Sequence, residues 1–162
     1  MNTVRYVFFV LVVFAVFSCV TVDPAMKDGE ASLNYGITLQ SEGKIDEAIA
    51  EFKKARDFYD AGDHTFSAFA TYPYIARAYY LNKNTDAAIN TYFESLNYAQ
   101  EKGEGKIYLG DLAVQMRDLA NLLREVNRID ETKLMLGDLL NIYRELGDMD
   151  KMYEIKRELD EL

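Results

Sequence analysis

Residues 35–55 read YGITLQSEGKIDEAIAEFKKA. A small residue, Gly36, is followed 12 residues later by another, Ala48, and the turn Glu42-Gly43-Lys44 lies between them. Leu39 stands three residues after Gly36, while Phe52 and Ala55 stand four and seven after Ala48. These intervals put each set on one face of a helix. Two helices joined by so short a turn run antiparallel. Small residues at matched sites let the two backbones approach where they cross, and the larger side chains fill the space beside the crossing.

The unit recurs along the chain. Gly36, Ala76 and Ala120 are each followed 12 residues later by Ala48, Ala88 and Thr132. Leu39, Tyr79 and Leu123 follow the first set, and Phe52, Tyr92 and Leu136 follow the second, with Ala55, Ser95 and Leu139 three residues further on. Asp46, Asp86, Asp130 and Asp150 fall in the first turn of a helix, where a carboxylate meets unpaired N–H groups and the positive end of the helix dipole. The pattern resembles the tetratricopeptide repeat (TPR), with Tyr35-Gly36, Leu39, Gly43, Ile45, Ala48, Phe52 and Ala55 as the clearest copy. The chain departs from that family in having no tryptophan and no closing proline in any copy. Its spacing is 40 residues from Ala48 to Ala88 and 44 from Ala88 to Thr132, against about 34 in the usual repeat, and so resembles the subclass with longer helices.

From Glu30 to Leu162 there is one proline, Pro73, and no alternation of period two, so the region reads as all-helical. Turn signals cut it into helices at about 30–42, 45–61, 64–82, 85–102, 105–126, 129–146 and 149–161. Pro73 lacks a backbone donor, so a kink or a late start near Ala70 is expected in the third. The expected fold is all-α, a TPR-like α-solenoid of about three helix-turn-helix repeats (about 30–62, 64–103 and 105–146). A C-terminal capping helix, 149–162, turns Met152, Ile155 and Leu159 inward.

The N-terminus carries an address. Residues 1–19 read MNTVRYVFFVLVVFAVFSC, with Arg5 ahead of an apolar run from Tyr6 to Phe17. The run is too short for a membrane span of about 20 residues and suits a signal peptide. Val16-Phe17-Ser18-Cys19 resembles a bacterial lipoprotein signal, which implies removal of 1–18 and a covalent lipid on Cys19, the only cysteine. Val20 follows Cys19 where an Asp would hold such a protein at the inner membrane. The resemblance therefore implies the periplasmic side of the outer membrane in a diderm, or the cell surface otherwise. Residues 19–29, with Pro24 and Gly29, read as a flexible linker.

The chain carries a net charge of −9, and loss of Arg5 makes it more negative. Nucleic acid is a poor partner for such a chain, and an anionic membrane surface repels it, so tethering falls to the lipid. Catalysis finds little to work with. His64 is the only histidine; with Asp60 and Asp63 it reads as a solvated capping cluster rather than a metal site. Gly103 and Gly105 lack the Lys-Ser/Thr sequel of a phosphate loop. No enzyme activity, cofactor or metal is expected.

Binding is the expected class. By the resemblance, the first helix of each repeat lines a concave groove, and Ile37, Leu33 and Gln40, then Arg77, Pro73 and Tyr80, then Asn121, Arg117 and Arg124 face it. Asn34 and Tyr74 flank the same face. Three arginines on one surface of an acidic protein suit carboxylates, which points to an acidic peptide segment or a chain terminus as partner. The opposing reading pairs Arg117 and Arg124 internally with Asp118, Asp111 or Glu125. Tyr35, Tyr79 and Tyr92 occupy core positions, whereas Tyr72, Tyr74 and Tyr80 around Pro73 are too many for one helix to bury and offer a contact patch. The expected function is a membrane-anchored, non-catalytic scaffold for a partner protein or peptide in the cell envelope. The alternatives are a small-ligand or peptide receptor associated with a transporter, and a structural role through self-association.

Overall fold

Among the described residues, five turns of one backbone design follow helices. In each, a residue with positive φ (Gly43, Asp63, Lys83, Asn127 or Gly147) follows a helix. The next N–H then reaches back five residues to a helical carbonyl, at 2.8–3.0 Å: Lys44 to Leu39, His64 to Tyr59, Asn84 to Tyr79, Arg128 to Leu123 and Asp148 to Tyr143. These Schellman-type caps satisfy carbonyls that the helix ends leave orphaned. The computed structural model describes residues 23–102 and 109–162. Among these residues the protein is all-helical: α1 (Pro24–Ser41), α2 (Ile45–Ala61), α3 (Thr65–Leu81), α4 (Thr85–Lys102), α5 (Leu109–Glu125), α6 (Ile129–Leu146) and α7 (Met149–Asp160). The signal segment 1–18, Cys19 and the Gly103-Glu104-Gly105 turn lie outside the described residues.

Two expectations are corrected by local chemistry. Residues 24–29 belong to α1 rather than to a linker. The Asp23 carboxylate accepts from the Ala25 N–H at 3.0 Å, and Pro24 occupies the first helical position, where no N–H is needed. Gly29 is buried on this first turn and a half because a Cβ there would lie 2.5 Å from the Tyr59 ring. α3 runs unbroken through Pro73 from Thr65, so no late start occurs.

Each helix packs mainly on its neighbours in sequence. The core is accordingly a series of clusters, each shared by consecutive helices. Leu39, Ala48, Phe52 and Ile75 join α1–α3; Ala76, Ile89, Tyr92, Leu119 and Leu123 join α3–α5; Ala120, Leu136, Tyr143, Met152 and Ile155 join α5–α7. The paired small residues Gly36 and Ala48, Ala76 and Ala88, and Ala120 and Thr132 are all buried. At Gly36 the reason is explicit, since a Cβ would lie 2.6 Å from the Phe52 ring.

Tyr35 departs from its expected core position and is 55% exposed. The buried stripe of α1 runs through Gly29, Ser32, Gly36 and Leu39; Tyr35 stands at its edge, and among the described residues no helix precedes α1 to cover it. Tyr79 is half-buried and its hydroxyl accepts from Lys53 Nζ at 2.7 Å. Tyr92 is buried.

Candidate functional site

α3 and α5 present the same spacing to each other. Pro73, Ala76, Arg77 and Tyr80 lie at i, i+3, i+4 and i+7 of α3, and Asp118, Asn121, Leu122 and Glu125 repeat those intervals on α5. Each set forms one helix face. Between the faces is a cleft of about 360 Å³, with Tyr92 of α4 completing its lining. Ala76 is fully buried, and its small side chain leaves the room that the larger residues frame.

The polar groups of the cleft converge from three helices. Tyr92 donates its O–H to Asp118 Oδ2 at 3.3 Å, and Tyr80 donates to Glu125 Oε2 at 3.1 Å. Burial raises the Asp118 carboxyl above its ordinary range, and the Tyr92 hydrogen bond offsets this only in part. Burial likewise raises the Tyr92 phenol, helped by the Asp118 charge and opposed by Arg77, so Tyr92 stays protonated and donating at neutral pH. Arg77 and Asn121 are exposed, so the cleft opens to solvent. Arg77 lines it without forming an ion pair among the described residues, although two carboxylates share the cleft.

The expected groove residues do not gather in one place. Arg77, Tyr80 and Asn121 line the cleft. Arg117 and Arg124 turn to α7, where both donate to the Glu158 carboxylate, Arg117 to Oε2 and Arg124 to Oε1. Their internal partner is thus Glu158 rather than Asp118, Asp111 or Glu125. Arg124 Nε is buried without an acceptor. Asn34 and Ile37 are exposed on α1, away from the cleft. Tyr74 is 38% exposed and its ring centroid lies 5.5 Å from that of Phe52. Of the other tyrosines around Pro73, Tyr80 is exposed whereas Tyr72 is buried against Tyr98 and Arg56. Leu33 packs into the core, and Gln40 Oε1 is buried without a donor.

Several of these assignments had no signal in the sequence. Asp118 and Glu125 each sit beside an arginine in the chain and read as its partners, yet both belong to the cleft. Glu158 lies 34 residues beyond Arg124, but its position three after Ile155 places it by the inner face of α7. That interval was the available clue.

The histidine cluster separates. His64 Nε2 lies 2.8 Å from Asp23 Oδ2, whereas Asp60 accepts from Tyr98 at 2.7 Å and from Lys102. Those two donors, Lys102 first, hold the Asp60 carboxyl below its usual range. Among the described residues, no three His, Cys, Asp or Glu side chains are grouped to hold a metal ion. A larger depression of about 560 Å³ is lined largely by apolar residues, including Phe93, Leu96, Leu112, Met116 and Met135, and among the described residues Asp138 is the one charged group lining it. The smaller α3–α5 cleft is the better candidate because its opposite charges converge. Among the described residues, no helix is long and apolar enough to cross a membrane.

No protein-family model matches the chain. No curated protein matches it either.

Proposed function

We propose that this protein is a non-catalytic scaffold of TPR type, tethered to a membrane through lipid on Cys19, that holds a partner protein or peptide at the cleft between its helices α3 and α5. The repeat reading draws support from the burial of all three pairs of small residues and from caps of one design between the helices. Consecutive packing of helix pairs, closed by an amphipathic α7 that buries Met152 and Ile155, suits an α-solenoid with a capping helix. The tether rests on the resemblance of residues 1–19 to a lipoprotein signal. It places the domain on the periplasmic side of the outer membrane, or on the cell surface where there is one membrane.

The cleft between α3 and α5 carries the proposal. It joins a cation, two carboxylates, an amide and two tyrosines over an apolar floor of Pro73, Ala76 and Leu122. Aromatic and arginine side chains of this kind dominate contact energies at protein interfaces. Asn121→Trp, which fills the cleft from an exposed position, abolishes recovery of the partner in a crosslinked pull-down from membranes. Undiminished recovery contradicts the assignment.

A second reading, a small-ligand or peptide receptor serving a transporter, is favoured by the same convergence. At about 360 Å³ the cleft falls in the range of small-ligand pockets. The two readings separate by what the pull-down releases: a protein band for the scaffold, and only a low-molecular-weight compound for the receptor.

A further inference from the structure

The charges in the α3–α5 cleft do not neutralise one another. Arg77 stands on the α3 wall without an ion pair among the described residues, and Asp118 and Glu125 stand on the α5 wall. Each carboxylate accepts one tyrosine O–H, from Tyr92 and Tyr80 respectively. A carboxylate has room for about four hydrogen bonds. Asp118 is half-buried, so it has given up part of its water shell for a single bond of 3.3 Å. Its charge is under-satisfied, and a cation brought to it gains more than one brought to a fully hydrated carboxylate.

This alters the expected partner. With Arg117 and Arg124 both engaged by Glu158, one arginine and two acids remain to set the sign of the cleft. The whole chain adds to that sign with a net charge of −9. A purely acidic segment finds one attractive group and two repulsive ones. A segment with a lysine or arginine beside an acidic residue finds a partner for each charge. The exposed ring of Tyr80 offers flat surface to the methylene stem of a basic side chain. Asn121, between Asp118 and Glu125 on α5, adds an amide suited to a peptide backbone.

We infer that the cleft takes a peptide segment in which a basic side chain neighbours an acidic one, the base seated toward Asp118 and Glu125 and the acid on Arg77. This rests on the cleft being the binding site proposed above. The volume suits one or two side chains rather than a folded element.

The probe is a phage-displayed random-peptide library selected on the full-length protein in detergent, with each enriched peptide then titrated by fluorescence anisotropy. Enriched sequences carry Lys or Arg adjacent to Asp or Glu. Asp118→Asn and Arg77→Gln each weaken binding about fivefold, the effect of one ion pair. Replacing the basic residue of the peptide by norleucine removes the effect of Asp118→Asn. Circular dichroism melting of every variant confirms that the fold is retained. Purely acidic peptides that Asn121→Trp displaces, or binding that tightens in Asp118→Asn, overturn this inference and leave the site in place. No enrichment, or peptides indifferent to Asn121→Trp, remove the site and the inference together.

Discussion

Asp118 costs the free protein stability at neutral pH. Burial strips water from its carboxylate and Tyr92 returns one hydrogen bond, so its folded pKa lies above the ordinary value of 3.8. A carboxyl that holds its proton more tightly when folded stabilises the protein below the unfolded pKa. That contribution is lost as pH rises through the raised folded value. Asp118→Asn therefore raises the thermal midpoint at neutral pH and leaves it unchanged well below the unfolded pKa. An unchanged midpoint at neutral pH contradicts this account of the site. Gly36 is governed by space instead. Gly36→Ala drives a Cβ to 2.6 Å from the Phe52 ring and lowers stability by about 1–3 kcal/mol in urea unfolding, the range for overpacking. That glycine was legible because its partner Ala48 stands at a recurring interval. Gly62 was legible only as a turn residue, yet its φ is −94° and the left-handed position belongs to Asp63. A Cβ on Gly62 would lie 2.6 Å from Ala25 Cβ. That contact comes from a helix in another part of the chain, and no local pattern announces it.

Helices were legible where caps and periodicity agree. The boundaries of α2, α4 and α6 match their expected ranges of 45–61, 85–102 and 129–146, because turn residues that the Schellman caps require stand before each of them and after α2 and α6. The start of α1 was not, since Pro24 and Gly29 read as linker when met alone and become helix once Asp23 caps and Tyr59 covers them. α7 shows what an element gains from tertiary contacts. Met152 and Ile155 bury its apolar face, and Glu158 holds two arginines of α5. Removing that carboxylate leaves both guanidinium groups without their shared acceptor. Glu158→Ala costs about 1.5–3 kcal/mol, the scale of hydrogen bonds to charged groups. Because contacts are mainly between sequence neighbours, the loss stays local. Amide hydrogen exchange speeds up in α6 and α7 while α1–α3 keep their protection; uniform acceleration contradicts a repeat-like distribution of stability.

Across the whole domain, a serial arrangement of helices carries the cleft, and the proposed lipid tether would set where that cleft works. Holding the domain at a membrane raises the effective concentration of a partner confined to the same surface. Cys19→Ser moves the full-length protein from the membrane fraction to the soluble fraction; retention in the membrane contradicts the lipid anchor. The all-helical fold was legible because it rests on local periodicity. The cleft was legible in part, at Arg77, Tyr80 and Asn121, because groove positions follow the repeat interval. Its acids were not, because the sequence does not say which arginine a neighbouring carboxylate will ignore. The most direct test of binding at the cleft is a photocrosslinking benzoylphenylalanine placed at Tyr80 in the membrane-bound protein, with the exposed Asn90 of α4 as the reference position. Binding at the cleft gives a protein adduct from position 80 that is absent from position 90 and disappears when Arg77→Glu and Asp118→Lys are combined. No adduct at position 80, or one that survives the double charge reversal, contradicts it.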